Sequence, residues 1–120
     1  MPFLDMRKLP VVEKLPGWHG RLFHSSTMTF GRWDFQAGSS IHEHHHPQEE
    51  VWQVLEGELE VTVDGVSAVV GPDMIVIVPA NVAHSVRAIC DGKAIVVDWP
   101  LRADFLTSGE TVDPASSSDR

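Results

Sequence analysis

The sequence has a single cysteine, no tyrosine and few basic residues. Because Cys90 is alone, no disulfide can form within the chain, and zinc sites built from several thiolates are excluded. Cys90 lies in the segment Ala88-Ile89-Cys90-Asp91-Gly92, which is typical of the end of an apolar strand. We therefore expect Cys90 to be a small buried hydrophobic residue rather than a catalytic thiol.

Positive charge and long hydrophobic runs are both scarce. Nine Lys and Arg against 17 Asp and Glu give a net charge of -8, and no stretch concentrates the basic residues. Nucleic acid and anionic membranes are therefore poor candidate partners, and a small molecule is the expected one. No apolar run approaches the roughly 20 residues that span a bilayer, and residues 1–10 lack the apolar core of a secretory signal. We expect a soluble, cytoplasmic protein.

Helical segments are missing as well, since no stretch combines helical periodicity with both a start and a stop signal. The sequence instead contains several short segments with the pattern of β-strands. Residues 58–63 alternate strictly, and Asp64-Gly65 suits a two-residue hairpin turn. Other β-rich runs are 27–35, 51–55, 85–89 and 94–99. The chain has 120 residues, which suits a single domain, and these strands predict that the domain is all-β, either a sandwich or a barrel.

Residues 74–78, Met-Ile-Val-Ile-Val, are apolar at every position and end at Pro79. This composition favours a strand that is covered on both faces. A barrel has only one interior, so the second face is expected to pack against a second layer or a second subunit. A homodimer is the predicted assembly.

Four of the seven histidines lie in residues 42–50, His-Glu-His-His-His-Pro-Gln-Glu-Glu. An expression tag is an alternative, but the run is internal, interrupted by Glu43 and followed by strand-like sequence. In an extended chain His44 and His46 project to one face, and Glu50 keeps the same parity if the turn at Pro47 preserves the register. Two imidazoles and a carboxylate suit one divalent ion of Fe, Mn, Ni, Cu or Zn, with at least one further ligand.

The spacing of these residues resembles the first motif of the cupin superfamily. That motif is matched here by Gly38, His44, His46, Glu50 and Gly57. Pro79, Asn81 and His84 resemble the second motif of the family. The match has three departures: Asn81 and Asp73 stand where the family often has glycine, and Ala88 stands where it often has asparagine.

The resemblance implies a double-stranded β-helix, the jelly-roll barrel of cupins, formed as a single domain with an N-terminal arm over residues 1–106. It also implies metal ligation by His44, His46, Glu50 and His84, with positions left open for water or substrate. The tail, residues 107–120, is rich in Ser, Asp and Pro and is expected to be flexible.

Catalytic candidates lie on either side of these motifs. His42 shares the strand parity of His44, so it is either a further ligand, acid or base, or a solvent-exposed loop residue. For His45, His19 and His24 we expect a surface position. Asp98 ends the apolar run 95–97, and a polar strand end with a surface Arg102–Asp104 ion pair is one interpretation.

The segment 98–105 is also similar to the closing segment of the cupins of pectin and alginate breakdown, which convert unsaturated uronates to linear ketonised sugars. In that interpretation Asp98 transfers a proton, Trp99 forms an aromatic wall, and Arg102 binds a substrate carboxylate in bidentate fashion.

Three functions remain open from the sequence. The first is a metal-dependent isomerase or lyase that acts on a small polar metabolite such as a sugar acid. The second is a metal-dependent dioxygenase, and the third is a non-catalytic barrel that binds a small ligand. The fold alone does not choose among them, because one scaffold carries many chemistries.

Overall fold

The computed structural model describes residues 3–105 and 111–112, which form an all-β domain. Its helical content is two 3-10 turns, Met6–Lys8 and Ala103–Phe105, so the expectation that any helix is short is confirmed for these residues. The strands are Val12–Leu15 (β1), Trp18–His24 (β2), Thr29–Phe35 (β3), Ser40–His44 (β4), Glu49–Glu56 (β5), Leu59–Val63 (β6), Val66–Val70 (β7), Ile75–Val78 (β8), His84–Ala88 (β9), Gly92–Trp99 (β10) and Thr111–Val112 (β11).

The strands form two sheets. The larger sheet has the order β1-β2-β3-β10-β5-β8, with β11 paired in parallel to β2, and the smaller has the order β4-β9-β6-β7. All other pairings are antiparallel. Strands distant in sequence are neighbours, as where β10 lies between β3 and β5. This is the predicted jelly-roll, double-stranded β-helix.

The core lies between the two sheets. Trp18 packs against Phe35 with 5.3 Å between ring centroids and meets the edge of Trp52 at 6.0 Å. Leu59 and Val54 are fully buried in the same cluster. Their alternation with exposed residues along each strand is the period-two pattern that the sequence carries.

The hairpin predicted at Asp64-Gly65 is confirmed. The two residues have φ angles of 50° and 78° and join β6 to β7. Asp73 and Asn81, which stand where cupins often have glycine, also have positive φ angles, 69° and 63°. Asp and Asn tolerate this region better than other side chains do, so the substitutions keep the turns of the motif.

Of two expectations about apolar residues, one is wrong and the other is met for one strand face. Cys90 is exposed in the turn between β9 and β10, so the prediction of a buried hydrophobe is wrong: β9 ends at Ala88, two residues earlier. In β8, Val76 and Val78 face the core, whereas Ile75 and Ile77 are 52% and 61% exposed. Among residues 3–105 one face of β8 is covered, and packing of its second face against another subunit stays a prediction.

The predicted N-terminal arm is part of the larger sheet, because β1 pairs with β2. Of the predicted flexible tail, residues 107–120, only Thr111–Val112 are among the described residues, so its flexibility stays a prediction. In the part of the chain that is described, no helix has the length and apolar character needed to cross a membrane.

Two glycines of the first motif allow a matched test of packing. Gly57 and Gly38 have φ angles of 81° and 83°, so alanine is strained at both. At Gly57 an added Cβ would also overlap the Asp91 carbonyl oxygen and lie 2.9 Å from the Cα of Gly92, whereas at Gly38 it would meet nothing within 4 Å.

We expect Gly38→Ala to lower the free energy of unfolding by about 1–2 kcal/mol. Gly57→Ala should cost a further ~1–3 kcal/mol, because the turn before β10 must move. Urea denaturation of both variants measures the difference. Equal losses would show that the contact with residues 91–92 is unimportant.

Candidate metal centre

The four predicted ligands come from three strands and one connection. His44 ends β4 and is the cross-strand neighbour of His84, which begins β9. Glu50 lies on β5, and His46 lies in the connection between β4 and β5. The His84 ring centroid is 4.2 Å from that of His44 and 4.9 Å from that of His46. The three imidazoles offer nitrogen atoms that all lie within 4.8 Å of one another, a group that can hold a metal ion.

Backbone carbonyls fix the orientation of all three rings. The Nδ1 atoms lie 2.8 Å from the His42 carbonyl for His44, 3.1 Å from the Gln48 carbonyl for His46, and 2.9 Å from the Val82 carbonyl for His84. A carbonyl only accepts, so each Nδ1 carries the proton and each Nε2 carries a lone pair. This is the tautomer that a metal-binding histidine needs.

The buried Nε2 atoms fit a cation. Those of His46 and His84 lie 3.4 Å from the two oxygens of Glu50 and, among the described residues, make no hydrogen bond. Glu50 is 5% exposed, and its Oε2 accepts a 2.6 Å hydrogen bond from Trp52 Nε1. Buried lone pairs converging beside a carboxylate are a donor set that suits a divalent transition metal.

The pKa values follow from burial and from the short contacts. Burial lowers the pKa of His44. Burial also acts against the charged form of His84, but the Glu50 carboxylate outweighs it and the pKa of His84 is raised. Burial alone would raise the pKa of Glu50. The close approach of His46, His84 and Asp98, together with the hydrogen bond from Trp52, instead holds that pKa far below its usual range.

Asp98 lies directly opposite Glu50 in the pairing of β10 with β5. It is 2% exposed, and its Oδ1 has no hydrogen-bond partner among the residues described. Burial, followed by the nearby Glu50 charge, raises the pKa of Asp98 to about 9. With His46 and Glu50, Asp98 forms a second group of potential ligand atoms. A buried carboxyl group thus stands at the edge of the histidine cluster.

Arg102 is placed differently from the prediction. Its Nε and Nη2 bind the two oxygens of Asp104 at 2.9 and 2.7 Å, while Nη1 lies 3.7 Å from Asp98 and 3.8 Å from Glu50. The predicted ion pair with Asp104 exists, but only its Asp104 side lies at the surface: the Asp104 side chain is 60% exposed and that of Arg102 is 8% exposed. Because Asp104 occupies the Nε–Nη2 edge of the guanidinium group, a bidentate contact to a substrate carboxylate through that edge would require Asp104 to move, and this role of Arg102 stays a prediction.

The chain after β10 is held in place by two polar contacts. Thr29 Oγ1 accepts the Arg102 backbone N–H at 2.8 Å, and Gln48 Nε2 donates to the Leu101 carbonyl at 3.2 Å. Thr29 Oγ1 also lies 2.8 Å from His24 Nδ1. His24 is therefore buried, and the prediction that it is a surface residue is wrong.

A cavity of about 330 Å³ reaches the histidine cluster at His44 and Glu50, while His46 and His84 are not part of its lining. Its wall includes His42, His44, Glu50, Asp98 and Arg102, together with Lys14, Leu15, Trp18, Trp33, Ile41, Trp52, Val96, Asp104 and Phe105. The predicted wall residue Trp99 is absent from this lining and 56% exposed, so that prediction is wrong. Trp18, Trp33, Trp52 and Phe105 form the aromatic wall instead.

The other histidines divide as follows. His42 lines the cavity while remaining exposed, so its position agrees with both interpretations of it. His45 is exposed, as expected. His19 is half-buried, and its Nε2 lies 3.3 Å from a carboxylate oxygen of Glu13.

Sequence reasoning missed most of the wall. The position of Trp52 in the wall could have been predicted from strand parity, because Trp52 stands two residues after Glu50 on β5. Trp18, Trp33 and Lys14 lie on strands outside both motifs, and the sequence contains no local signal for them. Trp33 occupies space left by two glycines: a Cβ at Gly20 would come within 2.6 Å of its ring, and one at Gly31 within 2.5 Å.

The fold and the site together define a jelly-roll barrel with a histidine centre in its mouth. Residues 31–100, more than half of the chain, match the cupin domain family. The chain therefore belongs to the cupin family. A comparison with curated proteins found no matching sequence.

Solved structures with the same fold include an RmlC-like cupin from Shewanella frigidimarina, which is 25% identical with a TM-score of 0.83 over 88% of this chain and 96% of that one. KdgF from Halomonas sp. is 21% identical, with a TM-score of 0.82 over 88% and 99%. Salicylate 1,2-dioxygenase from Pseudoaminobacter salicylatoxidans is 18% identical, with a TM-score of 0.68 over 72% of this chain and 28% of that one.

Removing one imidazole should remove the metal. His46→Ala and His84→Ala are expected to lose the ion held by the parent protein, with a fall in affinity that exceeds the roughly 10–100-fold cost of losing an outer partner of a ligand. Elemental analysis after purification without chelator or metal-affinity resin measures this. His45→Ala, in the same run but exposed, is the control and should retain the ion. Equal metal content in all three variants would contradict the site.

Proposed function

We propose that this cupin is a metal-dependent enzyme of the isomerase or lyase type that acts on a small sugar acid. The observation that carries the proposal is the convergence of three oriented imidazoles and Glu50 beside the buried carboxyl group of Asp98. A cavity of about 330 Å³, which is of ligand size, is lined by His44, Glu50 and Asp98 of this cluster.

His44, His46, Glu50 and His84 would hold the ion. When bound, a divalent metal supplies a Lewis acid that polarises a carbonyl or hydroxyl oxygen. The identity of the metal does not follow from these ligands, since Fe, Mn, Ni, Zn and Cu all accept imidazole and carboxylate. The network around the ligands, from the three carbonyls to Trp52, limits their movement.

Asp98 is the proposed proton carrier. Its Oδ1 is buried without a hydrogen-bond partner among the described residues, and Asp98 lines the cavity next to Glu50. Arg102 Nη1, 3.7 Å from Asp98 Oδ2, would orient the carboxyl group and act as a positioning residue. His42 at the cavity rim is a second candidate for proton transfer, and its carbonyl positions His44.

The composition of the cavity supports a sugar acid as the ligand. Aromatic rings provide apolar surfaces of the kind that the faces of sugar rings contact, and Lys14 and Arg102 provide positive charge in an otherwise acidic protein. The resemblance of segment 98–105 to uronate-converting cupins points to the same class.

A metal-dependent dioxygenase is the second candidate. The three-histidine donor set accepts redox-active iron or copper as readily as it accepts zinc or nickel. Assay without oxygen separates the two candidates, because only the dioxygenase requires it. A barrel that binds a sugar acid tightly and never converts it would be the third, non-catalytic function.

Asp98→Asn tests the catalytic assignment. We expect this variant to retain its metal but to lose about 10²- to 10⁴-fold in kcat, because the amide cannot transfer the proton. The measurement is the loss of ultraviolet absorbance of an unsaturated uronate, alongside elemental analysis. Asp34→Asn, an exposed change on β3, should keep full activity. Full turnover by Asp98→Asn would contradict the assignment.

We also propose that the protein is a homodimer. Ile75 and Ile77 are exposed on β8, an edge strand, and their cross-strand neighbour Val51 is only partly buried on the same face. A second copy would cover this apolar surface.

Ile75→Ser combined with Ile77→Ser should convert a dimeric parent to a monomer in sedimentation velocity. Val66→Ser combined with Val69→Ser alters two equally exposed apolar residues on β7 and should leave the mass unchanged. A parent that sediments as a monomer would refute the proposal.

A further inference from the structure

Arg102 is already bound to acidic residues of this chain, so another cation of the cavity wall has to be considered as the binding group for an anionic ligand. Asp104 holds the Nε–Nη2 edge of the guanidinium group in two short hydrogen bonds, and Nη1 faces Asp98 and Glu50. The positive charge of Arg102 is therefore surrounded by carboxylates of this chain. A bidentate contact to a ligand through the Nε–Nη2 edge would require Asp104 to leave.

The second cation of the cavity wall is Lys14, and an irregularity in β1 brings it there. Val12 pairs with Gly20 and Glu13 with His19, but the next pair is Leu15 with Trp18. One residue, Lys14, is thus inserted at a β-bulge. Bulges alter the direction of side chains and occur often beside active sites.

The bulge places two consecutive side chains on the same face. Directly opposite residues project to the same side of a sheet, so Leu15 faces inward with Trp18, while Lys14 keeps the inward parity of Val12. Both Lys14 and Leu15 line the cavity. In a regular strand one of them would point away from it.

The surroundings of Lys14 differ from those of a lysine that only protects a sheet edge. Edge-strand lysines that discourage aggregation keep their charge in solvent. Lys14 is half-buried, and its Nζ lies 5.1 Å from the ring centroid of Phe105. Arg102 Cζ lies 3.9 Å from the same centroid, so Phe105 adjoins both cations of the cavity.

We infer that Lys14 binds the carboxylate of the sugar acid and determines the preference of the cavity for anionic over neutral ligands. This inference rests on the proposed function for its ligand class. It assigns the carboxylate to the N-terminal strand β1, outside both metal-binding motifs. Arg102 then acts on Asp98 and Glu50 rather than on the ligand.

The test is titration calorimetry of protein loaded with one equivalent of Zn²⁺, using galacturonate and galactose as test ligands. Parent protein should bind galacturonate more tightly than galactose. Lys14→Met, which keeps most of the aliphatic length, should weaken galacturonate binding about 10- to 100-fold and leave galactose binding unchanged. Lys14→Arg should restore most of the preference.

Lys93→Met is the matched control, since Lys93 is also half-buried but lies outside the cavity, opposite Asp34 on β3. It should bind galacturonate as the parent does. An unchanged affinity in Lys14→Met, or an equal loss for both sugars, would overturn the role of Lys14, whereas a loaded parent that binds no galacturonate would overturn the sugar-acid function on which this role rests. Metal content, measured on the same samples, tests the metal centre separately, so failure of the two ideas can be told apart.

Discussion

The feature on which the site depends is a pair of buried carboxyl groups, Glu50 and Asp98, that face each other on the neighbouring strands β5 and β10. Two negative charges in this position would destabilise a sheet, and burial would make the repulsion stronger, which is why the pKa of Asp98 is raised to about 9 and its carboxyl group keeps a proton near neutral pH. The molecule compensates with donors gathered around the pair. Trp52 donates to Glu50, and Arg102 lies close to both carboxyl groups, whereas the Nε2 lone pairs of His46 and His84 face the Glu50 oxygens and would be complemented by a cation. The clustering of imidazole, indole and guanidinium groups is thus physically linked to the two acids.

The sequence predicted those parts of the structure that depend on local spacing. The hairpin at Asp64-Gly65, the all-β class and the proximity of His44, His46 and Glu50 all follow from turn chemistry and strand parity. His84 required the family resemblance, because nothing local connects it with residues 44–50. The spatial neighbourhood was not predictable for Trp18, Trp33 and Lys14, whose position depends on the order of strands in the larger sheet. The burial of Arg102 depends in the same way on contacts with Thr29 and Asp104, made only in the folded chain.

The two halves of the cavity have different origins. The histidine side is built from the motifs that define the family and from short connections between adjacent strands. The opposite side combines β1 and β2 with the segment after β10, which lie near the two ends of the described chain. In a family whose scaffold carries many chemistries, the first half provides the candidate metal ligands and the second shapes the rest of the cavity. The bulge in β1 and the Arg102–Asp104 pair belong to the second half.

The main-chain acceptors of the three histidines have a consequence for how this protein can change over time. The groups that fix the imidazole tautomers are carbonyl oxygens of residues 42, 48 and 82, and a carbonyl is present whatever side chain stands at those positions. Mutations there can alter the rim and the cavity without removing the acceptors. The metal-binding geometry is thereby insulated from drift in its immediate neighbours, and new ligand specificities can evolve around a centre that does not have to be rebuilt.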